Sequence, residues 1–294
     1  MNKYLIFRTD RIGDFLVSAI LIKSIKSNDQ KSHITIIASK KNYEYIKNFP
    51  YVDEVIKLEN NFLDKLKLLA KLNKIKFKTI IVHDNKNRSK ILTLFLKSDN
   101  KIHIEQQKTH IEIIMKVLKK LDFSFDENSL DLFSHKKMES TNYGEFIQLH
   151  LDEKWIFEDY IKKFVNIEPN KTQLINFIDN IISYTKKKLI ITTGQKTPKI
   201  LLEILPDLEN RKVRLLENLD FLELEKITLK SRLLISCHGA ISHVAAANKV
   251  KQIDIIDTSY DYFKWTKHFR NYDYLIRDKF DNLSNKILKK LWNF

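Results

Sequence analysis

Along the first 105 positions, short apolar runs alternate with longer amphipathic stretches. The runs at 4–7, 33–38, 52–58, 79–83 and 101–104 have the composition of strands. The stretches at 15–26, 41–47, 61–72 and 87–96 have helical spacing. Strand–helix alternation with apolar strands predicts a parallel sheet covered on both faces. A longer helix is predicted over 110–121, with Ile111, Ile114, Met115, Val117 and Leu118 on its apolar side. A polar segment, 122–142, then interrupts the pattern and reads as a linker. Alternation resumes with strands at 146–149, 188–192, 212–215, 232–236 and 252–256. The helices between and after them fall at 156–164, 172–183, 221–229 and 242–247. A last amphipathic helix over 279–291 carries Phe280, Leu283, Ile287, Leu288 and Leu291 on one face. The pattern predicts two doubly wound α/β units, 1–140 and 141–275. The terminal stretch 276–294 is expected to pack back on the first. In such sheets ligands bind at the carboxyl ends of the strands, where strand order reverses. Two such units facing each other would place a cleft between their strand-end loops.

Length and composition narrow this picture. A chain of 294 residues is one large domain or two ordinary ones. No apolar run reaches the roughly 20 residues that span a bilayer. The apolar start is too short for a signal peptide and is interrupted by Arg8. A single cysteine excludes an internal disulfide and a cysteine metal cluster, and a cytosolic setting is expected. The 52 lysines and arginines against 37 acids give a net charge of +15, which suggests an anionic partner. Part of that excess is compositional, since Ile, Asn and Lys are all plentiful, as in an AT-rich genome.

There are only four glycines, so each marks a place where the backbone needs one. Gly13, Gly194 and Gly239 each follow a predicted strand, whereas Gly144 precedes one. The first loop reads Arg8-Thr9-Asp10-Arg11-Ile12-Gly13-Asp14 and runs into an apolar helix. It lacks the three spaced glycines of a dinucleotide fingerprint and the Gly-Lys-Ser/Thr of a P-loop. Asp14 there has two readings: a cap on the helix, or a general base held by a glycine turn. The loop Ser236-Cys237-His238-Gly239-Ala240-Ile241-Ser242-His243 leads into Val244-Ala245-Ala246-Ala247. Small residues at a helix start let a phosphate approach the exposed N–H groups. A close-packed helix with surface histidines is the other reading. Cys237, at the end of a buried strand, reads as core and not as a nucleophile. Lys154, in His150-Leu151-Asp152-Glu153-Lys154-Trp155, sits at a predicted helix start, where a cation is unfavourable unless it meets an anion or faces solvent.

In combination these segments resemble the bacterial lipopolysaccharide heptosyltransferases, glycosyltransferase family 9. The Arg8–Asp14 loop is similar to the family's R-x-D-x-I-G-D opening. Phe49-Pro50-Tyr51-Val52-Asp53-Glu54-Val55 is similar to its N-P-x-V-D-E-V, and Phe77–Asp84 with Asn87-Arg88-Ser89 to its fourth strand and Arg-Ser helix. The helix over 110–121, His150 with Lys154-Trp155, Thr193-Gly194 and the segment 238–247 follow in the family's order. Three differences fall on the donor side. Aligned on His243, His238 stands where the family has an acid. The loop after His150 is short. Gln195-Lys196-Thr197-Pro198 follows Gly194 where an acid is usual.

The resemblance implies a GT-B fold: two Rossmann-like, doubly wound parallel-sheet domains facing a central cleft. The first would bind the acceptor and the second a nucleotide sugar. It implies an inverting transfer of a heptose-like sugar, from a donor such as ADP-heptose, to a lipopolysaccharide-type or other cell-envelope glycan. Asp14 would be the catalytic base. Lys154, Thr193, Gly194, His238, Gly239, Ala240 and His243 would line the donor site. Arg8, Asp10, Arg11, Gly13, Lys86 and Arg88 would line the acceptor site. No acidic metal motif is present, so neither a metal nor a cofactor is expected beyond the nucleotide-sugar substrate. The expected partners are that donor and a glycolipid or oligosaccharide acceptor, with no nucleic acid, acting on a monomer. A degenerate member that binds nucleotide sugar without turnover, a basic nucleic-acid-binding protein and a nicotinamide-dependent α/β enzyme are the alternatives; the missing G-x-G-x-x-G argues against the last. At the end of the chain, Lys286, Lys289 and Lys290 beside Trp292 and Phe294 suggest peripheral contact with an anionic inner membrane face. A bracing helix is the alternative.

Overall fold

A computed structural model describes residues 1–105, 107–134, 143–156, 164–258 and 261–291. The chain forms two compact units. The first is Met1–Leu132 with Phe263–His268; the second is Phe133–Tyr262 with Phe269–Phe294. The boundary falls eight residues before the expected one, and the short segment Phe263–His268 belongs to the first unit.

The first unit is built on a five-stranded parallel sheet. Its strands are β1 (Lys3–Arg8), β2 (His33–Ala38), β3 (Glu54–Lys57), β4 (Phe77–Val82) and β5 (Ser98–His103). They lie in the order β3-β2-β1-β4-β5. In β1, Tyr4, Leu5, Ile6 and Phe7 are all fully buried, because the central strand is covered on both faces. One cover is the helix Ile12–Asn28. Every residue from Phe15 to Ile25 is buried, so its apolar character runs all the way round. Lys23, within that run, donates its ammonium to the carbonyls of Asn128 and Asp131. On the other face, helices Phe62–Leu72 and Asn87–Leu94 set Leu68, Leu72 and Leu92 over Leu5, Phe7, Ile80 and Val82.

The second unit has six parallel strands: β6 (Phe146–His150), β7 (Lys188–Thr192), β8 (Arg214–Leu216), β9 (Leu233–Cys237), β10 (Lys251–Ile256) and β11 (Tyr272–Ile276). Their order is β11-β10-β9-β6-β7-β8. Gly144, in the turn before β6, has φ +65°, a conformation that favours glycine. Strand β11 and the short helices Lys199–Glu203, Leu205–Asn210 and Tyr262–Thr266 were not foreseen from the pattern.

The terminal helix Phe280–Leu291 corrects one expectation. Its Phe280, Leu283, Ile287, Leu288 and Leu291 join Ile147, Leu149, Trp155 and Phe177 in the core of the second unit. It braces its own unit, and its apolar face is consumed there. Trp292–Phe294, most of the helix expected over 156–164 and the end of the linker lie outside the described residues.

Candidate functional site

Strand order reverses beside β1 in the first unit, so the carboxyl ends of β1 and β4 form its crevice. Arg8 closes β1. It is buried, and its guanidinium bonds protein groups through all three nitrogens. Nε donates to the Asp14 carbonyl at 2.8 Å and Nη1 to the His83 carbonyl at 2.6 Å; Nη2 also reaches the Asp14 carbonyl. Nη1 also meets Asp10 Oδ2 at 3.2 Å. Arg8 thus ties the strand end to the first helical turn and to β4.

Asp14 is the third residue of the helix Ile12–Asn28, which starts three residues earlier than expected. Its Oδ2 accepts the Arg11 backbone N–H at 3.1 Å, as a carboxylate in the first helical turn commonly does. The carboxylate is half-buried, so its capping contact leaves it accessible. Asp10 is more unusual. Oδ1 is buried with no hydrogen-bond partner. Burial, with Asp14 and Asp84 adding to it, pushes the carboxyl up to about 6 against the pull of Arg8 and Lys86.

Three residues that sequence reasoning left out of the site organise this loop. Asp84 is buried. Its Oδ2 accepts from the Thr9 hydroxyl at 2.5 Å, the Ser89 hydroxyl at 2.7 Å and the Thr9 N–H at 3.2 Å. His83 shares a 2.5 Å hydrogen bond with the Ser18 hydroxyl, and burial beside Arg8 and His110 holds it neutral. His110, at the start of its helix, packs its ring 3.9 Å from that of Trp265. Burial, then Arg8, Lys264 and His268, bring it down to about 3. Lys86 Nζ and Arg88 Nη2 both donate to the Thr9 carbonyl at 2.9 Å, at the rim of the crevice. Arg11 is exposed and Gly13 half-buried at the turn.

The second sheet reverses order beside β6, bringing together the loops that follow β6 and β9. Lys154 lies in the turn Glu153–Trp155, not in an α-helix. Its ammonium pairs with the buried carboxylate of Asp152 and stands 3.1 Å from where a Cβ on Gly239 would be. Burial would raise the Asp152 carboxyl, but Lys154 and a hydrogen bond from His150 carry it below its ordinary range. Burial likewise opposes the charge on Lys154, and Asp152 outweighs it and holds the ammonium protonated. Gly239 opens the helix Ala240–Ala247, whose Ala240 is only half-buried. A fixed cation therefore stands at a helix start, and both favour an anion.

The neighbouring donor candidates divide into two groups. Thr193 is fully buried, and its hydroxyl accepts the Asn218 N–H at 3.1 Å. It supports the loop rather than lining an open surface. Gly194 is half-buried, and a Cβ there would meet Glu153 Oε2 at 2.9 Å. His238 and His243 lie with ring centroids 5.7 Å apart. His238 Nδ1 is 2.5 Å from the buried Asp254, which also accepts from Ser242 at 2.9 Å and Tyr272 at 3.1 Å. Burial pushes the Cys237 thiol up, consistent with a core residue.

Arg277 was not anticipated. It is buried just after β11. Nε donates to the Val165 carbonyl at 2.8 Å and Nη2 to the Lys154 carbonyl, while Nη1 is 3.6 Å from Cys237 Sγ. It fixes the backbone that carries Lys154. Among the described residues, no group of three or more His, Cys, Asp or Glu is placed to hold a metal ion.

Two parallel α/β units with loops of this kind at their strand ends define the GT-B fold, and solved structures agree. The chain superimposes on E. coli heptosyltransferase WaaC with ADP at TM-score 0.74 and 12% identity, covering 98% of this chain and 99% of that one. For E. coli ADP-heptose lps heptosyltransferase II the TM-score is 0.70 at 14% identity, over 99% and 97% of the two chains. A glycosyl transferase family 9 structure from Veillonella parvula gives 0.67 at 12%, over 98% and 89%. The fold is thus heptosyltransferase-like. No protein-family model and no curated protein matches the chain.

Proposed function

We propose that this chain is a glycosyltransferase that moves a heptose-like sugar, with inversion, from a nucleotide-sugar donor to a cell-envelope glycan acceptor. The observation that carries this reading is the convergence of Lys154 on Gly239 at the start of the helix Ala240–Ala247. A lysine ammonium and the N-terminus of a helix at one strand-order reversal suit a diphosphate. The heptosyltransferase-like fold and the ADP in the WaaC structure support it.

In this reaction the acceptor hydroxyl forms a bond to the anomeric carbon as the bond from that carbon to the diphosphate breaks. Asp14 takes the hydroxyl proton. The diphosphate leaves with the bonding electrons and is stabilised by Lys154, His243 and the helix N–H groups. Ala240, Gly194 and His238 border the donor. Gly13 lies beside Asp14 in the first helical turn, while Asp10, Arg11, Lys86 and Arg88 meet the acceptor. No step calls for a metal. A lipid-linked acceptor would set the work at the inner face of the cytoplasmic membrane. Binding without turnover is the second reading, favoured by His238 on Asp254 in place of the family's acid.

Lys154→Ala tests the central contact. Charge-assisted hydrogen bonds are worth roughly 1.5–3 kcal/mol, so affinity for the nucleoside diphosphate should fall about 10- to 100-fold while that for the bare nucleoside holds. Circular dichroism must first show that the variant is folded, because Asp152 loses its partner. Equal losses for both ligands would remove Lys154 from the diphosphate site.

A further inference from the structure

We propose that Asp254 is a positioning residue that acts through His238. The carboxylate that the family carries at position 238 stands here on strand β10, and the imidazole presents a hydrogen-bond acceptor to the donor sugar in its place. The inference rests on the donor site proposed above. It begins with where polar residues stand in the second sheet. Central strands of a parallel sheet are covered on both faces and are expected to be apolar. One face obeys: Leu149, Ile191, Ile235 and Ile255 join the core with Phe177 and Leu283. On the other face, Thr192, His150, Ser236 and Asp254 stand in register on four adjacent strands. All four are buried, and they fall at the carboxyl ends of their strands, beneath the donor loops. Burying a carboxylate there is costly unless its partners compensate.

The partners of Asp254 show what that cost secures. Besides His238, it holds the Ser242 hydroxyl, in the first turn of the helix Ala240–Ala247, and the Tyr272 hydroxyl on β11. Strand β10 grips Ser242 a second time, since Gln252 Nε2 donates to its carbonyl at 3.2 Å. The Ser242 hydroxyl also accepts the Gly239 N–H at 3.2 Å. One carboxylate therefore fixes both the helix start and the imidazole beside it. An ionised carboxylate only accepts hydrogen bonds, so His238 Nδ1 is the donor to Asp254. In the neutral ring Nε2 is then an acceptor. A sugar hydroxyl that would donate to an acid at 238 can donate to Nε2 instead. The side chain of His238 is 10% exposed and that of Asp254 0%, so the imidazole is the member of the pair that a ligand reaches. The rings of His243 and Tyr262 meet that of His238 edge-on, with centroids 5.7 and 5.4 Å away, and hold its plane. The departure from the family's acid is thus a relocation of the carboxylate, not its loss.

Two measurements on the full chain test this. Long-range ¹H–¹⁵N NMR without ligand reads the ring directly: neutral His238 should carry its proton on Nδ1, and Asp254→Asn should shift it to Nε2. Titration calorimetry then compares ADP-, GDP-, UDP- and dTDP-sugars with the matching bare nucleoside diphosphates. For the nucleotide sugar that binds, Asp254→Asn and His238→Ala should each lower affinity about tenfold, while the bare diphosphate stays within about threefold. His238→Asp alone sets two carboxylates side by side and should bind no better than His238→Ala. His238→Asp combined with Asp254→Asn returns the acid to the family's position and should recover most of the wild-type affinity. Melting checks that each variant is folded; if Asp254→Asn is not, His238→Ala and the NMR of the unaltered chain decide. Neutral His238 protonated on Nε2 in the wild type would overturn the proposal. So would equal losses for the nucleotide sugar and the bare diphosphate, or a double variant no better than His238→Asp. A wild type that binds none of the nucleotide sugars would instead overturn the donor site itself, and this inference with it.

Discussion

Asp10→Asn should stabilise the protein, and only above a defined pH. The Asp10 side chain is 17% exposed, one of its oxygens has no partner, and its carboxyl is raised from 3.8 to about 6. At roughly 1.4 kcal/mol per pH unit, the fold disfavours the charged carboxylate by about 3 kcal/mol. Because the folded value lies above the unfolded one, the folded state still holds a proton that the unfolded chain has lost between about pH 4 and 6. Stability must therefore fall as pH rises through that window, and the loss is complete above it. Asparagine carries no charge, and its amide oxygen can still accept from Arg8. The variant should match the wild type near about pH 4 and exceed it by about 2–3 kcal/mol near about pH 8. Urea denaturation across this range gives the difference, and carboxyl ¹³C shifts report the titration of Asp10 directly. A difference that does not change with pH, or a variant less stable at the upper end, would refute this account. A carboxyl kept at such a cost is what a functional loop is expected to hold.

Asp14→Asn should lower sugar transfer by about 10²- to 10⁴-fold while the melting temperature stays within a few degrees, because the amide oxygen keeps the Arg11 N–H. Near-normal transfer in a product assay would leave Asp14 as a cap. Gly239→Ala would place a Cβ 3.1 Å from Lys154 Nζ and 3.2 Å from its Cε. The flexible lysine should give way, so diphosphate affinity should drop about tenfold with little change in stability, as titration calorimetry and melting would show. Arg277→Ala leaves the Val165 and Lys154 carbonyls without their donor and should cost about 2–4 kcal/mol in chemical denaturation; Arg277→Lys should recover part of it.

How much was legible depended on whether a signal was local. Strands β1, β4, β6 and β9 are buried on both faces, so their continuous apolar runs and the loops after them could be read directly. Three of the four glycines then pointed to the loops after β1, β7 and β9, and Lys154 and Gly239 do meet. Strand β11 was missed because Tyr-Asp-Tyr-Leu-Ile lies at a sheet edge, where burial is mixed and the apolar run is broken. The terminal helix was recognised by its stripe, but a stripe says that a face is buried, not what covers it. That Arg8 bonds the carbonyl of His83, 75 residues away, was not legible, because a chain of letters does not show which remote segments meet. Arg277 and Asp254 escaped for the same reason: each acts on a loop remote in sequence. Periodicity along the chain cannot reveal such long-range hydrogen bonds.

Melting of the full chain against a panel of ADP-, GDP-, UDP- and dTDP-sugars, with a generic oligonucleotide alongside, tests the central claim most directly. A ligand that binds only the folded state raises the melting temperature, by about 2.7 kcal/mol of added stability at a hundred times its dissociation constant. At least one nucleotide sugar should raise it, with the effect lost in Lys154→Ala and no comparable shift from the oligonucleotide. A salt-sensitive shift with the oligonucleotide and none with any nucleotide sugar would contradict the account.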